Sequence, residues 1–152
     1  MIEEKEITIE HYEKLAEILG KKNVPGKIES PFDFIHIASK GVNVSIIKNF
    51  SNYFNLTKES VAQILDISEP TLYRWIKANK ILERNFSVKL FEIADFFLYG
   101  EEVFGDRDVF FKWLNIPNDA LGGLEPYSLI EIPGGVSKVR DILGRIEYGV
   151  YS

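Results

Sequence analysis

Residues 56–77 read LTKESVAQILDISEPTLYRWIK, and this stretch decides the fold of the first half of the chain. Thr57 and Ser68 each precede a short run in which apolar residues recur three or four positions apart. Each is therefore predicted to cap a helix. The two helices, over 58–65 and 68–78, are separated by a turn too short for any other element. Two short helices joined in this way form a helix-turn-helix arrangement.

The second of these helices has the features of a DNA-reading helix. Its predicted inward side chains are Leu72, Trp75 and Ile76. Its outward side chains are the candidate DNA-binding residues Glu69, Thr71, Tyr73, Arg74 and Lys77. Residues near the start of such a helix can reach base edges, while Arg and Lys further along can neutralise phosphates. An ordinary helical hairpin in an all-α core is the alternative, but it requires neither the Ser cap nor a basic second helix.

The charge distribution supports the same interpretation. The chain has 152 residues and a net charge of −5, from 18 Lys and Arg against 23 Asp and Glu. Residues 70–90 nevertheless contain five basic residues and one acidic residue, in an otherwise acidic chain. A basic segment of this kind fits contact with phosphates, although a solvated helix face would show the same composition.

Several classes of function are disfavoured by composition. The chain has no cysteine and only two histidines, His11 and His36. This leaves no disulfide, thiolate zinc site or cysteine nucleophile, and little for a histidine metal site. The adjacent carboxylates Glu101 and Glu102 could be considered a catalytic pair, but neighbours in a helix point about 100° apart. We therefore expect no catalysis, no cofactor and no metal.

No stretch approaches the roughly 18 apolar residues of a membrane helix. The first residues are too highly charged for a signal peptide, so a cytoplasmic protein without membrane contact is expected.

The rest of the chain also shows helical periodicity, so an all-α fold is predicted. The further helices are expected at 9–19 after a Thr8 cap, 31–40, 43–54, 86–99, 109–114, 126–130 and 136–147. The last helix has an apolar stripe formed by Val136, Val139, Leu143, Ile146 and Val150. Such a stripe needs a partner, which is either the protein's own core or a second chain.

The C-terminal third contains three ordered sequence blocks: VFGD, WLN-x-PN-x-ALGG-x-x-P and LGRIE-x-GVYS. Together they closely resemble the toxin-binding domain of the MbcA/ParS/Xre antitoxins. Residues 42–84 are similar to the Xre-like helix-turn-helix that precedes this domain in the family. The resemblance implies a variable N-terminal extension over 1–41, a DNA-binding domain over 42–100 and a toxin-binding domain over 101–152.

The resemblance also implies partners. Members of this family silence a RES-domain toxin, which degrades NAD in the bacterial cytoplasm, and they repress their own operon. Their C-terminal helix and tail cover the active site of the toxin. The matching positions are Arg140, Leu143, Gly144, Arg145, Ile146, Glu147, Gly149, Val150, Tyr151 and Ser152. The expected partners are thus a cognate RES-domain toxin, operator DNA and a second copy of the chain. A stand-alone helix-turn-helix regulator with a C-terminal dimerisation or sensing domain is the alternative.

Overall fold

The computed structural model describes the backbone of residues 2–149 and the side chains of residues 8–149. Nearly all of the regular secondary structure in this part of the chain is helix, which confirms the all-α prediction. The elements are α1 (Ile2–Leu19), α2 (Pro31–Ser39), β1 (Val42–Asn43), α3 (Ser45–Phe54), α4 (Lys58–Leu65), α5 (Glu69–Lys77), β2 (Ile81–Leu82), α6 (Arg84–Phe104), α7 (Arg107–Leu114), a 3₁₀ turn (Asp119–Leu121), α8 (Pro126–Ile130) and α9 (Gly135–Glu147).

The chain divides into two compact units. The first ends at Asp95 and the second begins at Phe96, so that the division falls within α6. The sequence had placed a domain boundary at 100–101, just after a predicted helix end at 99. The helix instead continues to Phe104.

Helices α4 and α5 of the first unit form the predicted helix-turn-helix. The Thr57 hydroxyl accepts a hydrogen bond from the Ser60 N–H at 3.0 Å, and the Ser68 hydroxyl accepts one from the Thr71 N–H at 3.1 Å. Both predicted caps are therefore present. Asp66 adopts a left-handed conformation, φ 56°, which ends α4 and turns the chain into α5.

A short two-stranded ribbon, which was not predicted from the sequence, pairs the segment before α3 with the segment before α6. β1 and β2 pair antiparallel, with Val42 opposite Leu82. Ser87 is fully buried beside the ribbon, where its hydroxyl accepts from the Val42 N–H and donates to the Leu82 carbonyl, each at 3.2 Å. Strands of two residues are too short to show an alternating pattern, which explains why they were missed.

The N-terminal helices belong to the same unit and contribute to its core. Leu15 and Leu19 of α1 are fully buried, and the Asn49 side chain donates to the Leu19 carbonyl at 2.9 Å. Phe34 of α2 packs against Phe91, with ring centroids 4.8 Å apart. Residues 1–41, expected as an extension, therefore supply part of the first unit's interior over the described residues.

The predicted start of α1 is wrong. The helix begins at Ile2, so Thr8 lies within it and does not cap it. The preceding segment is rich in Glu and Lys, which are good helix formers, and it extends the helix by more than a turn.

The second unit is built on an aromatic core. Phe96, Phe97, Phe110 and Leu114 are fully buried, and the Phe96 and Phe110 rings lie 5.9 Å apart. Gly100 permits this packing because a Cβ at that position would lie 2.1 Å from the Phe110 ring. Gly100 therefore allows α6 and α7 to pack closely. It lies within α6, one residue after the helix end that the sequence predicted at 99.

Helices α8 and α9 of the second unit approach each other just as closely. A Cβ on Gly135, the first residue of α9, would lie 1.7 Å from the Leu129 carbonyl oxygen. The apolar stripe of α9 packs into its own unit, since Val139, Ile142 and Leu143 are buried. Its partner is therefore the protein's own core, which was one of the two alternatives; Val150 lies outside the described residues.

Candidate functional site

Two surfaces contain the predicted functional residues, one in each unit. In the first unit, α5 is held by Leu72, which is fully buried, and by Trp75, whose ring lies 4.8 Å from that of Phe86. Ile76 was predicted to face inward, and this is wrong: it is 42% exposed. Trp75 occupies the inward position of the last turn, and this leaves Ile76 at the edge of the helix.

The outer face of α5 presents most of the candidate DNA-binding residues. Glu69, Arg74 and Lys77 are exposed, and Tyr73 is 58% exposed. Thr71 is half-buried, and its hydroxyl accepts from Ser68 at 2.8 Å and from Arg74 at 3.0 Å. Thr71 thus holds the Arg74 guanidinium near the start of the helix.

Other basic residues of the 70–90 segment are engaged with neighbouring groups. The Lys80 ammonium lies 4.7 Å above the Trp75 ring and 3.9 Å from the Glu83 carboxylate. Arg84 donates to the Ser39 carbonyl at 3.4 Å. Arg74 and Lys77 are the two cations of α5 itself; both are exposed, and the Lys77 ammonium lies 5.8 Å from the centre of the Tyr73 ring.

In the second unit, the candidate toxin-binding residues on α9 fall into three groups. Leu143 is fully buried, so in this structure it supports the helix from inside, and its contact with a toxin stays a prediction. Arg140, Gly144 and Ile146 are half-buried. The exposed positions are Arg145, Glu147 and Gly149. Val150, Tyr151 and Ser152 lie outside the described residues.

Tyr99 of α6 contacts this helix, and the sequence did not single it out. Its hydroxyl donates to Glu147 Oε1 at 2.9 Å, and the Arg140 guanidinium lies 4.6 Å above its ring. Its hydroxyl would also lie 3.7 Å from a Cβ on Gly144. The sequence offers one signal for Tyr99: it ends the apolar run of residues 96–98 and has a polar hydroxyl group.

Burial raises the pKa of Tyr99 to about 12, and the hydrogen bond to Glu147 and the charge of that carboxylate act in the same direction. The Arg140 guanidinium opposes this shift without cancelling it. Tyr99 therefore remains a neutral hydrogen-bond donor at any physiological pH.

The described residues offer little that suggests catalysis or membrane insertion. Glu101, one of the two adjacent carboxylates, lies 3.8 Å from Arg107 in an ion pair. Among the described side chains, no group of three or more His, Asp or Glu residues could hold a metal ion. No helix in the described part of the chain is long and apolar enough to cross a membrane.

Comparison with protein families gives two matches that together span most of the chain. Residues 33–98 match the antitoxin Xre-like helix-turn-helix domain. Residues 100–149 match the antitoxin Xre/MbcA/ParS C-terminal toxin-binding domain.

Individual proteins give consistent similarities. Antitoxin Xre of Photorhabdus laumondii is 24% identical over 117 residues, which cover 76% of this chain and 79% of that protein. The Prs ADP-ribosylating antitoxin of a Sphingobium species is 27% identical over 134 residues, 81% of this chain and 83% of that protein. A crystal structure of the M. tuberculosis MbcT-MbcA toxin-antitoxin complex contains a chain with a TM-score of 0.54 and 24% identity, covering 72% of this chain and 96% of that one. This last likeness shows a shared fold.

Proposed function

Since the chain belongs to the Xre/MbcA/ParS antitoxin family, we propose that it neutralises a RES-domain, NAD-degrading toxin by covering that toxin's active site. The observation that carries this proposal is the match of residues 100–149 to the family's toxin-binding domain. The chain is an antitoxin with a helix-turn-helix domain, and the solved structure that shares its fold is described as a toxin-antitoxin complex.

We propose that the end of α9 is the part of the antitoxin that covers the toxin's active site. Val139 and Ile142 anchor the helix from inside, while Arg145 and Tyr148 are exposed where the helix ends, the latter by 77%. Tyrosine gives a large contact area at a low entropy cost. A cleft that binds an anionic dinucleotide is expected to be basic, with an acidic catalytic residue that Arg145 could pair with.

We propose that catalysis has no part in this role. The antitoxin acts by binding, and the encounter takes place in the cytoplasm, where both NAD and operator DNA are found. The alternative of a stand-alone regulator leaves the match of residues 100–149 to a toxin-binding domain without a purpose.

Co-expression tests the toxin half of the proposal. A cognate RES-domain toxin, which the proposal places in the same operon, is expressed alone, with the full antitoxin, and with an antitoxin truncated after Glu147. We expect growth arrest with the toxin alone, normal growth and co-purification with the full chain, and arrest with the truncated chain. Growth arrest that the full chain does not relieve would refute the proposed function.

For the DNA half, we propose that α5 reads the operator and represses the operon, with a second copy of the chain on the other half-site. The support is the exposed face of α5: exposed Arg74 and Lys77 side chains can neutralise phosphates, and the exposed Tyr73 can contact bases. Helix-turn-helix proteins bind symmetric operators as dimers, which is the basis for the predicted homodimer.

The salt dependence of operator binding tests this assignment. If Arg74 and Lys77 each neutralise about one phosphate, replacing both with alanine should reduce the slope of log K against log salt by about two units. Lys112 and Lys138, which are exposed in the second unit, are the matched control, because their replacement removes the same charge elsewhere. Equal slopes for the two double variants would exclude α5 as the phosphate-binding helix.

A further inference from the structure

Within the second unit, one aromatic side chain ties the C-terminal helix to a distant part of the sequence. Tyr99 lies on α6, 48 residues before Glu147, and its hydroxyl donates to that carboxylate at 2.9 Å. Its ring lies under the guanidinium of Arg140, two turns earlier on α9, at 4.6 Å. Gly144 lies between these two positions on α9, and a Cβ there would lie 3.7 Å from the phenol oxygen, an ordinary contact distance. We call this set of residues the Tyr99 clamp.

We propose that Tyr99 is a positioning residue for toxin binding: through Glu147 and Arg140 it holds the last turn of α9 in the orientation that presents Arg145 and Tyr148. This inference rests on the proposed function. It assigns to Arg140 and Glu147 a role within the antitoxin, where the family resemblance implied direct contact with the toxin.

The Tyr99 clamp lies at the end of α9, where the helix needs additional contacts to stay ordered. Helix ends fray, because their last carbonyls have no partner within the helix. At the end of α9, the Tyr148 N–H donates to the Gly144 carbonyl at 3.2 Å and the Gly149 N–H to the Ile146 carbonyl at 3.1 Å. Glu147 is the last residue of α9 and directly precedes Tyr148 and Gly149. Its hydrogen bond to Tyr99 therefore fixes the last helical turn, which the Tyr148 and Gly149 N–H groups close.

Preorganisation of this kind acts on affinity. A segment that is already ordered in its bound conformation loses less conformational freedom on binding, so the complex is tighter for the same contacts. The phenol can perform this role throughout the physiological pH range, because burial and Glu147 keep it protonated.

The clamp is first tested in the free antitoxin by amide hydrogen exchange at Tyr148 and Gly149. Tyr99→Phe keeps the ring under Arg140 but removes the hydrogen bond, and we expect both amides to exchange about five-fold faster, the factor that about 1 kcal/mol corresponds to. Glu147→Ala should have the same effect, whereas Glu147→Gln keeps an acceptor oxygen and should preserve the protection. Unchanged exchange in Tyr99→Phe would overturn the clamp.

The same variants are then titrated with a catalytically inactive form of a cognate RES-domain toxin. We expect Tyr99→Phe to bind about five-fold more weakly through faster dissociation, with a thermal midpoint lowered by only a few degrees, as the loss of one hydrogen bond implies. Tyr53→Phe, which removes a hydroxyl from α3 in the first unit, is the matched control and should bind as wild type does. A Tyr99→Phe chain with faster exchange but wild-type affinity would overturn the positioning role.

A failure of the proposed function can be distinguished from a failure of the Tyr99 clamp by the binding of the wild-type chain. In that case the wild-type chain itself would not bind the toxin, whatever the exchange data show. A loss of binding that appears only because the variant is unfolded at the assay temperature would assign Tyr99 a general structural role and would also overturn the inference.

Discussion

Two glycine-to-alanine substitutions on the same helix should change stability in opposite directions. Gly135→Ala places a methyl carbon 1.7 Å from the backbone carbonyl oxygen of Leu129, and neither backbone can yield without separating α8 from α9. Overpacking of this kind typically costs about 1–3 kcal/mol, and a clash with backbone lies at the upper end, so we expect a loss of about 3 kcal/mol.

Gly144→Ala is the matched substitution. The nearest atom to its new methyl would be the Tyr99 hydroxyl oxygen at 3.7 Å, which is an ordinary contact distance. Because alanine is the better helix former by about 1 kcal/mol, this variant should be more stable by about 0.5–1 kcal/mol.

Urea unfolding followed by circular dichroism separates the two variants. The transition midpoint should fall for Gly135→Ala and rise for Gly144→Ala, with the slope unchanged. A Gly135→Ala protein that unfolds at the wild-type urea concentration would refute the close packing of α8 on α9. A destabilised Gly144→Ala protein would contradict the ordinary contact distance between the new methyl group and the Tyr99 hydroxyl.

Two other predictions concern separability and ionisation. The Arg74→Ala, Lys77→Ala variant should lose operator binding yet still protect cells from the toxin, because toxin binding is assigned to the second unit; a folded variant that no longer protects would contradict this separation. Since folding raises the pKa of Tyr99 from 10.0 to about 12, its stabilising effect is present below pH 10 and should be lost between pH 10 and about 12. At about pH 11, wild type and Tyr99→Phe should therefore show the same tyrosinate absorbance, and an excess in wild type would contradict the raised pKa.

The helix-turn-helix was predictable because its signals are local. Thr57 and Ser68 cap helices through their own hydroxyls, and such hydrogen bonds depend only on residues three positions away. The resemblance of the C-terminal third likewise rested on contiguous blocks of sequence. Local and contiguous signals of this kind predicted the all-α fold and the family.

The errors arose where tertiary contacts decide the outcome. The predicted helix ended at 99, yet α6 continues through Gly100, which serves a contact with Phe110 that becomes visible only once α6 and α7 are packed. Periodicity assigned both Trp75 and Ile76 to the core, but Trp75 packs on Phe86 whereas Ile76 is exposed. Tyr99 was missed because its partner is 48 residues away, and no pattern within α6 indicates it.

The most direct measurement of the central claim is NAD consumption by the purified RES-domain toxin in the presence of two forms of the antitoxin. The full chain should abolish consumption at a stoichiometric ratio. A chain lacking residues 149–152 should retain its stability within about 1 kcal/mol, because the deletion removes none of the buried residues of the described part, and yet inhibit far less. Equal inhibition by both chains would contradict the account, because the residues after α9 would then not be needed to cover the toxin's active site.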